Sequence, residues 1–209
     1  MRLGLFGGTF NPIHIGHLRV AEEVRESLNL EKVIFVPSYL PPHKELADNV
    51  QGEKRLEIVR LSIKHNPYFA VSAFEVNSRG NSYSIRTIEH LRQTYECTPY
   101  FILGQDAFNE ISTWFDADKL FDLAHFVVMS RPEAQRVPIT KVLGGSASRF
   151  TATERGFINE YGNEIVFVDV IPYAVSSSMI REFCKKGRSI RYLVPEEVYD
   201  YIMCERIYV

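Results

Sequence analysis

What the sequence lacks narrows its function first. No apolar run among the 209 residues reaches the roughly 18 that a membrane span needs. The first residues also lack the charged, apolar and small-residue regions of a secretion signal in the right order. A soluble, cytosolic protein with no membrane partner is therefore expected. Cysteine is scarce: Cys97, Cys184 and Cys204 form an odd, scattered set with no C-x-x-C pair, which speaks against a disulfide framework and a thiolate zinc site. Basic excess is missing as well, since 24 Lys and Arg stand against 26 Asp and Glu, a formal charge of -2. Without a global positive field, nucleic acid is not expected as the main partner, whereas anionic small molecules stay open. Neither G-x-G-x-x-G nor G-x-x-x-x-G-K-[ST] can be laid on the sequence, so hydride transfer and Walker-type ATP hydrolysis lose support. Internal repeats and low-complexity linkers are lacking too, and one domain over residues 1–209 is expected. A homo-oligomer is left open.

What is present alternates. Short β-branched and aromatic runs at residues 2–6, 32–36, 69–72, 100–103, 125–129 and 165–168 read as strands. Between them, Leu18, Val20, Ala21, Val24 and Leu28, then Leu56, Val59, Leu61 and Ile63, then Ile85, Ile88 and Leu91 recur with helical spacing. This order, with strands that are nearly continuously apolar, predicts right-handed βαβ crossovers. The fold class is α/β, a Rossmann-like doubly wound, mainly parallel sheet with helices on both faces. From Ser176 onward the chain turns helical: SSSMIREFCKKG has a Ser cap and a Gly stop, and PEEVYDYIMCE opens on Pro and two acids. Residues 133–150, polar with Gly and Ser, read as a loop.

Gly4 to His17, GLFGGTFNPIHIGH, follow the first strand at the place where ligands bind in such sheets. Gly7 and Gly8 let backbone approach a ligand, and His17 is expected to begin a helix whose N–H groups face an anion. His14 and His17 flank Gly16, where the missing side chain would let a phosphate near both rings. The stretch could serve a metal, a nucleotide or only a turn. His43, His65, His90 and His125 form no second cluster with ligand spacing, so a metal held by protein side chains is the weakest of the three.

GGTFNPIHIGH resembles the signature of the nucleotidylyltransferases that carry an H-x-G-H motif, and VSSSMIR, Val175 to Arg181, resembles the I-S-S-S-x-I-R element of the adenylyltransferases that make NAD. The two are expected one at each end of the sheet. PSYLPPHK, SYSIRTI, FILGQDAFNEISTW and SIRYLVPEEVYDYI extend the resemblance, over nearly the whole chain, to the bacterial nicotinate mononucleotide adenylyltransferase family. Three residues depart from its pattern: Asn11 stands where many members have Asp, Ser84 where Thr is usual, and Arg86 where an acid is common. Asn11 keeps an acceptor of the same shape and Ser84 keeps its hydroxyl.

The resemblance implies adenylyl transfer from ATP to nicotinate mononucleotide, giving deamido-NAD and pyrophosphate, with Mg2+ carried by ATP and no metal held by protein side chains. It implies His14, His17 and Arg181 as the catalytic set. ATP would meet Gly7, Gly8, Thr9, Phe10, Asn11, Gly104, Asp106, Ser176, Ser177 and Ser178 as well as that set. Lys44, Tyr83, Ser84, Trp114 and Arg131 would meet the nicotinate nucleotide. An ionised phosphate nucleophile needs no general base, which fits the absence of a Ser/His/Asp or Cys/His constellation. Nicotinamide mononucleotide or phosphopantetheine as acceptor, and a nucleotide sensor without chemistry, are the competing readings. The PPHK and Trp114 segments speak against phosphopantetheine.

Overall fold

The computed structural model describes residues 1–41, 48, 50–130 and 137–208. Eight strands form one sheet: β1 (Leu3–Gly8), β2 (Lys32–Pro37), β3 (Phe69–Val71), β4 (Tyr100–Gly104), β5 (His125–Ser130), β6 (Phe150–Thr153), β7 (Gly156–Asn159) and β8 (Glu164–Asp169). Their order is β3-β2-β1-β4-β5-β8-β7-β6. From β3 to β8 all pairings are parallel, and β7 and β6 continue the sheet antiparallel.

The helices are α1 (Ile15–Ser27), α2 (Gly52–Ile63), α3 (Phe74–Ser78), α4 (Ser84–Tyr95), α5 (Gln105–Asn109), α6 (Ala117–Leu123), α7 (Ile139–Leu143), α8 (Ser177–Lys185) and α9 (Glu196–Cys204). The continuous apolar strands are read out as two cores. Phe6, Val33, Phe35, Ile102 and Val127 pack on one face against Ala21 and Val24 of α1, Ile58 and Val59 of α2, Ile180 of α8 and Val198 of α9. Alternate residues Leu5, Ile34, Val36, Phe101 and Phe126 pack on the other face with Ile85, Ile88 and Leu91 of α4 and Phe121 of α6. Period-two geometry sends neighbours to opposite faces, so a strand buried on both sides has no polar positions.

Two stretches of the chain depart from the sequence reading. Within residues 133–150, those up to 136 lie outside the described residues, but the rest holds α7 and a 3-10 turn, Gly144–Arg149, instead of a loop. Val142 and Leu143 are buried there, and Gly144 ends the helix at φ +55°. Five residues are too few to display helical period, which is why the segment reads as irregular. The β6–β7 hairpin was also unforeseen, its strands being only four residues each. Gly156 opens β7 at φ +154°, and a Cβ there would stand 1.9 Å from the Ile165 carbonyl oxygen.

The chain runs β1 to β2 to β3 in one direction, then returns to β4 and moves out the other way. Ligand crevices form at this reversal, beyond the carboxyl ends of the strands. Pairing between β1 and β4 stops at Phe6 and Ile102, while β1 runs on to Gly8 and β4 to Gly104. The two strand ends separate and leave a crevice between them.

Candidate active site

On one side of the crevice lies the turn from Gly8 into α1. Phe10 adopts a left-handed φ of 45°, and its ring tucks beneath Gly8, where a Cβ would come within 2.9 Å of it. His14 is the extended N-cap of α1, so the helix starts at Ile15 and His17 occupies its third position rather than its first. His17 Nδ1 accepts the His14 backbone N–H at 3.2 Å, as a Glu or Gln side chain does in a capping box. With Nδ1 accepting, the neutral ring carries its proton on Nε2, which is the donor left for a ligand. The His14 and His17 rings stand 3.7 Å apart between centroids, and Phe10 packs edge-on to His17 at 5.3 Å. Burial, with the neighbouring His14 second, lowers the His17 pKa to about 3. His17 is thus a neutral hydrogen-bond donor at any physiological pH.

Two expectations for this turn are corrected. The Ile15 N–H is bonded to the Leu193 carbonyl at 3.0 Å and the His17 N–H to the His14 carbonyl at 2.9 Å, so these first-turn amides are committed within the protein. Gly16 does not leave a phosphate-sized gap beside both rings. A Cβ there would meet Val175 Cγ1 at 3.0 Å and His14 Nδ1 at 3.1 Å, so the missing side chain admits the second motif instead.

That motif meets the first directly, at the same end of the sheet rather than at the opposite one. Both follow strand carboxyl ends of a parallel sheet, which all lie along one edge. Ser176 caps α8, accepting the Met179 N–H at 3.2 Å, and its hydroxyl lies 3.0 Å from that of Ser178. Ser177 Oγ donates to the Pro12 carbonyl at 2.8 Å. Arg181 Nη1 donates to the Asn11 carbonyl at 2.7 Å, while Nε pairs with Asp48 at 3.0 Å. The Tyr208 hydroxyl donates to Asn11 Oδ1 at 2.7 Å.

On the other side, a cavity of about 500 Å3 runs along the separated ends of β1 and β4. Gly7, Gly8 and Thr9 line it from the turn, Tyr83 and Ser84 from the start of α4, and Gly104, Asp106 and Trp114 from the β4 end. Gly104 is the N-cap of α5, so Asp106, the second residue of that helix, is not its cap, and a Cβ on Gly104 would meet nothing within 4 Å. Trp114 packs edge-on to Phe101 at 6.1 Å, and Tyr83 packs on Phe115 at 4.7 Å. Arg86, whose place the sequence did not fix, lies over the Tyr83 ring at 5.4 Å. Lys44 and Arg131 lie outside the described residues.

Comparison with known proteins bears on what this arrangement does. The Cytidylyltransferase-like family model matches residues 5–183. A curated relative from Geotalea daltonii, named "Probable nicotinate-nucleotide adenylyltransferase", is 45% identical over all of this chain and 98% of its own length. One of the same name from Geobacter metallireducens is 41% identical over all of this chain and 98% of its own. The chain belongs to the nicotinate-nucleotide adenylyltransferase family. Among solved structures, the Plasmodium falciparum nicotinic acid mononucleotide adenylyltransferase complexed with NaAD matches with a TM-score of 0.73. That match covers 99% of this chain and 97% of the other at 17% identity, a likeness of fold.

In this family member the cavity also has walls that the sequence reading passed over. Ser38, Glu75, Ser82, Glu110 and Phe115 line it; Ser38, Ser82 and Glu110 lie within segments of the family resemblance, but their residue types did not single them out there. Glu75 is buried, accepts the Thr87 hydroxyl at 2.5 Å, and has its pKa raised by that burial. Ser82 Oγ accepts the Tyr39 N–H at 2.9 Å, fastening the start of α4 to the segment after β2. Among the described residues no three of His, Cys, Asp and Glu cluster as a metal site, and no helix is long and apolar enough to cross a membrane.

Proposed function

We propose that this chain transfers the adenylyl group of ATP to nicotinate mononucleotide, forming deamido-NAD and releasing pyrophosphate, and that residues 1–209 act as one cytoplasmic nucleotidylyltransferase domain. The observation that carries the site assignment is the meeting of the two motifs. Ser177 and Arg181 donate to the Pro12 and Asn11 carbonyls, and this joint stands beside a cavity at the sheet's reversal point. Family membership supports the reaction.

In the mechanism, an ionised phosphate oxygen of the mononucleotide attacks the α-phosphorus of ATP in line, and the bond to pyrophosphate breaks. Positioning and charge stabilisation do the catalysis. His17 donates Nε2–H to the phosphate oxygens that gain charge, and His14, its ring tilted against that of His17, completes the pair. Arg181 and the Ser176–Ser178 cap of α8 face the leaving pyrophosphate, with phosphate replacing Asp48 as the guanidinium's anion. Gly7, Gly8, Thr9, Phe10 and Asn11 shape the turn that bends around ATP, while Gly104 and Asp106 take its ribose hydroxyls. Mg2+ bound to the triphosphate supplies further charge neutralisation.

Trp114 offers its ring face to the pyridine, and Tyr83 and Ser84 flank it. At the start of α4, the amides of Tyr83, Arg86 and Thr87 are bonded within the turn, leaving those of Ser84 and Ile85 without intrahelical acceptors. These suit an acceptor-only carboxylate better than a carboxamide, whose NH2 would face N–H donors. Lys44 and Arg131 join the anionic nucleotide by resemblance.

The test is pyrophosphate release from ATP with nicotinate mononucleotide, nicotinamide mononucleotide or phosphopantetheine offered separately. Rapid release is expected with the first alone. Tight ATP binding with no release for any acceptor would instead support a sensor.

A further inference from the structure

Arg55 heads the fully buried side chains among the described residues by size, with no exposed surface. It sits on the first turns of α2 and sends its guanidinium to four backbone carbonyls. Nε donates to Val50 at 3.1 Å, Nη1 to Thr9 at 2.7 Å and Ser38 at 2.6 Å, and Nη2 to Tyr39 at 3.0 Å. Every one of these acceptors is neutral. Among the described residues, Arg55 makes no ion pair within 4 Å.

A buried charge with no carboxylate in contact, Glu53 and Glu75 acting on it only through space, is an expensive choice for a structural tie. Charge-assisted hydrogen bonds offset part of that cost, yet a neutral amide could bridge some of the same carbonyls without it. What only the guanidinium adds is a fixed positive charge, and its location gives that charge a use. Thr9 and Ser38, whose carbonyls share Nη1, both line the cavity. The cation therefore stands one peptide behind the cavity wall, where low polarisability lets its field reach the occupant. Glu75, on the same wall, directs Oε1 to the Thr87 hydroxyl rather than to Arg55, and burial disfavours its charged form.

We propose that Arg55 is a positioning residue that also fixes the site's charge, joining the Thr9 turn to the Ser38–Tyr39 segment and holding a positive charge behind the cavity to favour an anionic mononucleotide. This rests on the adenylyl-transfer reading. A field that follows the charge, rather than the fork shape, predicts how two variants separate. Arg55→Met removes both, whereas Arg55→Lys keeps the charge and loses most of the hydrogen bonds.

The experiment measures thermal unfolding, kcat and KM for both variants, with calorimetric binding of nicotinate mononucleotide alongside. Arg55→Met is expected to raise the mononucleotide KM and Kd about tenfold or more. Arg55→Lys is expected to stay within about threefold of the parent in both while melting at lower temperature. Unchanged KM and Kd in Arg55→Met, or a Lys variant as impaired in binding as the Met variant, would overturn the proposal. If Arg55→Met does not fold, Arg55→Lys decides alone: near-parental Kd with a lowered Tm supports the charge role, and a Kd raised about tenfold refutes it. Absence of pyrophosphate release in the parent would sink the reaction, while the calorimetric arm would still score Arg55.

Discussion

Around His17 and Arg181 the polar groups are already engaged with protein, whereas around Trp114, Tyr83 and Gly104 aromatic rings and glycine backbone stand with Glu75, Asp106 and Glu110 around open space. In the first region His17 Nδ1 holds the His14 amide, Ser177 and Arg181 hold carbonyls of the signature turn, and Gly16 is packed shut by Val175. In the second, the cavity opens beside Gly104, and the Tyr83 and Phe115 rings pack tilted against each other in its lining. On the proposed reaction the first half would hold its donors in place for charge that develops in the transition state, with Arg181 exchanging Asp48 for phosphate. On the same reading the open half would hold a flat heterocycle by surface complementarity.

The comparison can be broken most sharply at His17. His17→Ala is expected to lower turnover roughly 10²- to 10³-fold with a small change in melting temperature at neutral pH; near-normal turnover would remove His17 from the preorganised half. The same variant tests the titration of this ring. Its folded pKa of about 3 lies below the ordinary value of 6.5, so the unfolded chain takes up the proton first as pH falls. The stability that His17 contributes is complete above 6.5 and is lost between 6.5 and 3, and His17→Ala should flatten that part of the parent's Tm-against-pH curve.

A smaller effect is expected in the open half. Trp114→Ala should raise the mononucleotide KM by about tenfold, the scale of one lost ring stack, with a lesser change in kcat. A drop confined to kcat would place Trp114 with the preorganised groups instead. Smallest is the effect at the border. Asp48 is held ionised chiefly by the Lys185 hydrogen bond and occupies Arg181. Asp48→Asn should lower the KM for ATP two- to threefold, by order of magnitude for an exposed pair. A raised KM would show that the carboxylate orients the guanidinium rather than competing for it.

Sequence reading reached the parallel sheet because β2, β4 and β5 are uninterrupted apolar runs bounded by turns, a pattern only a doubly covered strand can bear. It reached the turn and the serine cap because glycine, histidine and a Ser-Ser-Ser run are chemically conspicuous. It did not reach the hairpin at β6 and β7 or helix α7, whose four- and five-residue lengths carry no period. The placement of VSSSMIR failed for another reason: spacing along a chain does not say along which sheet edge a loop emerges. Glu75 and Arg55 escaped because each lies in an ordinary helical stretch, where a charged residue reads as solvent-facing until burial is known.

The hydrogen bond from Tyr208 to Asn11 spans 197 positions of sequence. The turn that carries both histidines is fastened by Ser177, Arg181 and Tyr208, residues far along the chain. Its shape is therefore a property of the whole folded unit rather than of the motif, and the signature peptide excised alone is expected to lose it.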